Sequence, residues 1–290
     1  MFEDRLGGPG GLVSNRTQRR LRVAALSLTA LLVTAFVLTP LYMMVVVALQ
    51  SPSTLFSGGE LTLLPPALTL ENFRTLFTGT ETVQYLLNSF LITAGVVVLS
   101  TVLAVVSGYG LTRFSFRGKT TAARMVLFSY MVSPIVLAIP LYIIFFNFGL
   151  LNSYLAAILA ITAIAAPFSI WLMWQYFQNI PMTYEESAWT SGASRLRTVR
   201  DVVLPLARPG YISVAIFAFS VAWNDYTMAK VVLSDQSLYP ITLGSALFLD
   251  QLSIGWGEQM AVSVLISVPP FLVALFLQNY LLQGFNLGHD

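Results

Sequence analysis

MVLFSYMVSPIVLAIPLYIIFFNFGLLNSYLAAILAITAIAAPFSIWLMWQYFQNIPMTY, residues 125–184, runs from Met125 to Tyr184 without one Asp, Glu, Lys or Arg. A helix crosses the hydrocarbon core of a bilayer with about 20 apolar residues at roughly 1.5 Å of rise each. This stretch is far too long for one crossing. It breaks naturally at Asn147-Phe148-Gly149-Leu150-Leu151-Asn152-Ser153, where Gly and Asn mark a turn. Two helices are predicted, near 125–147 and 152–176, joined by a very short loop.

Working outward, four further charge-poor stretches appear: Val23–Leu49, Thr82–Thr112, Pro209–Asn224 and Gln259–Gly288. They predict helices near 23–49, 84–112, 205–229 and 260–283, which makes six spans. Composition agrees. The 290 residues are 56% hydrophobic and only 10% charged, and mean hydropathy is +0.76. A soluble domain carries about a quarter charged residues, so the solvent here is largely lipid. The absence of cysteine excludes disulfides, thiolate metal sites and cysteine nucleophiles. A net charge of +2 gives no footing for nucleic acid. The first apolar stretch exceeds the roughly 7–15 residues of a secretory signal core. It also lacks a small-residue cleavage site at Ala48-Leu49-Gln50-Ser51, and is read as a retained anchor.

Basic residues orient the spans. All of the 15 except Arg74 and Lys230 fall in three places: before span one, after span two (Arg113 to Arg124), and after span four (Arg195 to Arg208). In a six-span chain these share one side. The positive-inside rule makes that side, and both termini, cytoplasmic. The expected organisation is a cytoplasmic tail over 1–22, a transmembrane domain over 23–285 and a short tail over 286–290. Prolines at 40, 134, 140, 167, 209 and 269–270 are expected to kink or break the spans.

The one long polar segment between spans on that side is 179–208. Thr183 with Glu186 three residues on reads as a capping box starting a short helix. Gly192 is placed to end it in a left-handed conformation. A second helix is expected near Ser194, with an Arg197–Asp201 pair at i,i+4, and Pro205 is expected to open span five. The result is a helix–Gly turn–helix element outside the membrane, joined to a span at each end.

Glu186-Ser187-Ala188, Gly192 and Val202-Val203-Leu204-Pro205 resemble, at this spacing, the loop signature of ABC importer permease subunits. Ser187 and Val202 are mild departures, and Ser191 stands where carbohydrate permeases usually have Asp. Pro140-Leu141-Tyr142, Phe148 to Ser153, Trp223-Asn224-Asp225-Tyr226 and Gln278 to Gly284 extend the likeness to maltose/trehalose-type permeases over about residues 70–285. The resemblance implies a bacterial inner-membrane permease subunit forming half of a path for a sugar or oligosaccharide. The resemblance also implies a second homologous permease, two ATPase subunits that bind ATP and Mg, and an extracytoplasmic solute-binding protein as partners. It further implies that Glu185, Glu186, Ser187, Ala188, Gly192, Ala193, Leu204 and Pro205 serve ATPase coupling. Glu186 would contact the ATPase, Ala188 pack closely and Gly192 make the turn. In this class the corresponding outer loop, 231–257 here, reaches into the binding protein, which makes Leu247, Phe248 and Asp250 docking candidates. Packing over the mouth of the bundle is the alternative reading for these residues.

Other candidates are weighed on their chemistry. Gly118-Lys119-Thr120 is not a phosphate loop, since Arg113 occupies the position of the first glycine. ATP hydrolysis is therefore expected of a partner, and this chain is expected to be no enzyme and to hold no cofactor or metal. His289, the one histidine, is read as a tail residue. Asn224, Asp225 and Tyr226 are pore or substrate-path candidates, because an ionisable group in a span is a functional-site hypothesis. An interfacial position for Asp225 is favoured over pore lining, and Trp223, Tyr226 and Tyr239 read as an interfacial belt. A secondary transporter would show internal repeats, and none is legible. A glycerol-phosphate cargo is the remaining alternative, though basic groups suited to phosphate are nearly absent from the spans.

Overall fold

Helix α3 (Thr82–Arg113) buries Asn88, Ile92, Val96, Ser100, Ala104 and Gly108, a stripe with a strict four-residue repeat. Helix α6 (Tyr154–Gln178) buries the matching stripe Ala157, Ile161, Ala165, Ser169, Met173 and Phe177. Residues four apart lie on one helix face, and small residues there let two backbones approach closely. A Cβ at Gly108 would lie 3.0 Å from the Trp174 backbone nitrogen. These two helices form the centre of the bundle. The computed structural model describes residues 10–51, 68–250 and 255–285. Arg5, His289 and the final tail lie outside them.

Around this pair, α1 (Gly10–Ala48) packs on α12 (Trp256–Phe285), and α2 (Glu71–Gly79) packs on α12 as well. Helix α4 (Lys119–Ser129) and α5 (Pro134–Asn147) lead into α6. Beyond α6 come α7 (Thr183–Thr190) and α8, which runs over Arg195–Leu206 with a π turn at Val199–Val203. Helix α9 (Arg208–Trp223) crosses both α3 and α6, laying Gly210 against the Tyr176 ring. Short helices α10 (Thr227–Val232) and α11 (Ile241–Asp250) close the end opposite α7.

Among the described residues, four helices are long and apolar enough to cross a membrane: Gln18–Ala48, Thr82–Arg113, Tyr154–Gln178 and Trp256–Phe276. The other two expected spans are not straight. The predicted helix 125–147 is two helices meeting at 98°. Pro134 is the first residue of α5, where its missing N–H costs nothing. It holds Ser133 extended, at ψ 136°, so the chain turns there rather than continuing. The predicted helix 205–229 is also divided. Pro205 lies within α8, the chain bends by 72° at Ala207, and Pro209 opens α9. At its other end α9 stops at Trp223. The Asp225 carboxylate accepts hydrogen bonds from the backbone N–H of Met228 (3.3 Å) and Ala229 (2.9 Å), starting α10 as a new helix. Pro40, Pro140, Pro167 and Pro269-Pro270 do sit inside helices, as expected. Helix α1 begins at Gly10, well before the expected start at Val23.

Candidate functional site

Helix α7 starts at Thr183 itself. Met182 is the N-cap and supplies no side-chain bond, so the expected Thr183–Glu186 capping box does not form. Ser187 Oγ instead donates to the Thr183 carbonyl (2.8 Å). The end of the helix matches expectation. Gly192 has φ +88°, Ala193 N–H donates to the Ala188 carbonyl (3.0 Å) and Gly192 N–H to the Trp189 carbonyl (2.9 Å). That pair of bonds is a Schellman closure, whose left-handed residue is best supplied by glycine. Ser194 then caps α8, accepting from Arg197 N–H at 3.4 Å, and Arg197 pairs with Asp201 across one exposed turn.

The two neighbouring carboxylates of α7 face opposite ways. The Glu186 side chain is exposed, and among the described residues its carboxylate has no hydrogen-bond or ionic partner. Glu185 is wholly buried. One of its oxygens is paired with Arg113 Nε and the other accepts from Tyr109 Oη (2.8 Å), while Arg113 Nη2 reaches the Ile180 carbonyl (3.0 Å). The Arg195 guanidinium lies over the Trp189 ring, 5.6 Å from its centre. Between α3 and the α7–α8 element lies a hollow of about 430 Å³ lined by Tyr109, Arg113, Met182, Trp189, Arg195 and Val199, among others. Ala188 is half-buried, Leu204 half-buried and Pro205 exposed. Gly118, in the discarded phosphate-loop candidate, adopts φ +85° and opens α4 after a helix, with no strand before it.

At the opposite end, polar side chains clamp the segment leading to α11. Asn88 donates to the carbonyls of Ser237 (2.8 Å) and Tyr239 (2.9 Å) and accepts from Tyr154 Oη (2.8 Å). Ser89 Oγ accepts from Ile241 N–H at 2.7 Å. Asn152, at φ 58°, receives Ser234 and Asp235 N–H on its side-chain oxygen (3.0 and 2.8 Å). The Asp235 carboxyl is itself held below the ordinary carboxylate range, chiefly by the Ser237 N–H it accepts. Phe248 is buried beside the Tyr85 ring, with centroids 6.5 Å apart, whereas Leu247 is half-exposed. The Asp250 side chain lies outside the described residues. Leu247 and Phe248 edge a polar hollow of about 340 Å³ with Thr78, Glu81 and Gln236.

Of the pore candidates, Asn224 and Tyr226 are exposed, and Asn224 Nδ2 donates to the Ser220 carbonyl (2.8 Å). Of the three residues read as an interfacial belt, Tyr226 is exposed and the other two are not. Trp223 is buried, and its Nε1 donates to the Ile266 carbonyl (2.8 Å), tying α9 to α12. Tyr239 is buried too, pointing its hydroxyl at the Ser234 carbonyl (3.4 Å). Sequence reasoning missed the partners made by Tyr109, Asn88 and Asn152, and gave Arg113 no part in a site. A polar Asn88 within an otherwise apolar span was the available signal.

Long apolar helices around a small-residue seam, with a polar helix–glycine–helix element at one end and a clamped loop at the other, define a multi-pass membrane protein. The chain belongs to the family described as "Binding-protein-dependent transport system inner membrane component", whose model matches residues 97–287. It is 31% identical over 262 residues to the trehalose/maltose transport system permease protein MalG of Thermococcus litoralis, covering 89% of this chain and 93% of that one. It is 32% identical over 228 residues to the diacetylchitobiose uptake system permease protein NgcG of Streptomyces coelicolor, covering 78% and 75%. Among solved structures, a bacterial ABC transporter that imports the acidic polysaccharide alginate superposes with TM-score 0.77 at 20% identity. It covers 97% of this chain and 99% of that one, a likeness of fold.

Proposed function

We propose that this chain is one of two permease subunits of a bacterial ABC importer for a sugar or oligosaccharide, and that α7 couples it to an ATPase. The observation that carries the reading is α7 itself: an exposed Glu186 on a short helix closed by Gly192 at φ +88°, outside the bundle yet joined to it at both ends. Such a helix offers an exposed acceptor to a partner and passes force on to the spans. ATP and Mg belong to the partner ATPase chains in this reading. The relatives named for trehalose/maltose and diacetylchitobiose uptake support a glycan cargo. A second solved structure, an alginate ABC transporter with a pentasaccharide-bound periplasmic protein, supports a solute-binding partner.

Counting each bent helix pair as one span gives six crossings. With the positive-inside rule, the distribution of basic residues supports a cytoplasmic side for both termini and α7. The far end, with the clamped loop and α11, faces the solute-binding protein. Leu247, and Asp250 with it, is the docking candidate on that side, while Phe248 supports α11 from within. Asn224, Asp225 and Tyr226, at the same end, are the path candidates in this reading.

Reconstitution tests the whole reading. The chain is purified with its second permease and ATPase subunits, placed in proteoliposomes and given its binding protein loaded with radiolabelled maltose, trehalose or chitobiose. ATP-dependent accumulation of one of these supports the proposal. Transport driven equally well by an ion gradient without ATP would refute it.

A further inference from the structure

We infer that the buried Arg113–Glu185–Tyr109 cluster is a strut that makes α7 and the adjoining end of α3 move as one body, with Arg113 and Glu185 as positioning residues for coupling. The inference rests on the proposed role of α7 and adds the route by which force reaches the centre of the bundle. By chain connectivity α7 is joined only to α6, through Asn179–Met182, and to α8, through Gly192. Nothing in the connectivity links it to α3, which lies about 70 residues earlier, yet α3 is half of the central pair.

The cluster supplies that link. Arg113 and Tyr109 are one helical turn apart on α3 and hold the two oxygens of one carboxylate from two sides. The same guanidinium holds the Ile180 carbonyl, in the segment just ahead of α7, so helix and lead-in are gripped together. The Glu185 side chain is 0% exposed and that of Arg113 9%. Separating them would leave the wholly buried Glu185 carboxylate without its charge partner, which strongly opposes rupture. Relative motion between α7 and α3 is therefore resisted here. Beyond α8 the chain bends by 72° at Ala207 before α9 begins. The two adjacent carboxylates thus divide the work: Glu186 faces outward and Glu185 inward.

Spin labels test the strut in the assembled complex. The chain has no cysteine, so single cysteines replace exposed Ser115 on the α3 side and exposed Thr190 on α7. The label-to-label distance is compared between nucleotide-free and ATP-trapped complexes. An unchanged distance is expected in the otherwise unaltered protein. Glu185→Gln should broaden the distance distribution and lower the solute moved per ATP split by about tenfold or more, with the ATPase subunits still retained. A shift on ATP trapping without that substitution overturns the strut, and so does a Glu185→Gln complex with undiminished solute per ATP. Loss of the ATPase subunits on Glu185→Gln overturns it too, since this carboxylate never reaches the surface. If that variant fails to insert, the distance measurement alone decides. Should the unsubstituted complex itself contain no ATPase subunits, the coupling reading fails, and this is visible before any variant is made.

Discussion

Gly192 provides a test in which the magnitude can be worked from one backbone angle. Its φ of +88° lies in the region that L side chains avoid, and a Cβ built there meets nothing within 4 Å. Substitution therefore introduces no clash, and the whole effect is backbone strain. A left-handed conformation costs an ordinary residue about 1–2 kcal/mol and a β-branched residue more. Asn tolerates it best after glycine. At about 2 kcal/mol, the ratio of correctly formed turn to alternative conformations falls roughly 30-fold. The order of damage should be Gly192→Asn least, Gly192→Ala intermediate and Gly192→Val greatest. The assay is ATP hydrolysis stimulated by the loaded binding protein in nanodisc-embedded complexes, together with the amount of ATPase subunit retained after washing. Insertion should be unaffected, because the turn lies outside the bundle. Wild-type stimulation in Gly192→Val would refute the reasoning. So would an Asn variant as damaged as the Val one, since conformation would then not be the cause.

Four further predictions follow the same geometry. The purified chain alone should neither hydrolyse ATP nor move solute in liposomes, and nucleotide turnover by a contaminant-free preparation would contradict the family assignment of labour. Single cysteines at Ser14, Ser187 and Ser237 should react with an impermeant thiol reagent outside intact cells only at Ser237, which is exposed in the clamped loop; labelling at Ser187 would invert the topology. Asn88→Ala orphans the carbonyls of Ser237 and Tyr239, at about 1–3 kcal/mol for buried groups, and should speed hydrogen exchange across 234–241; unchanged protection would remove Asn88 as the clamp. Leu247→Glu should weaken stimulation by the binding protein while leaving complex assembly intact, and unchanged stimulation would mean that α11 only covers the bundle.

Charge distribution alone determined that the chain lives in lipid and roughly where it crosses, and the placement of Gly192 determined that the helix–turn–helix of 179–208 closes there. The reason is that charge in hydrocarbon is costly enough to leave its absence written in the sequence. Left-handed turns likewise demand a particular residue, and Gly149, Asn152 and Gly192 all adopt positive φ. Other features required the tertiary structure. A membrane helix is apolar on every side, so hydrophobic periodicity does not reveal which face is buried. The four-residue seams of α3 and α6 are defined by close approach of backbones, not by polarity. Proline marks a possible break without saying which kind. Pro134 and Pro209 begin new helices, while Pro140 and Pro167 are absorbed within theirs. Nor does adjacency in sequence separate Glu185 from Glu186. Their opposite fates depend on Arg113 and Tyr109, brought from a distant span to one side of α7, where a paired carboxylate can be buried and its neighbour left free.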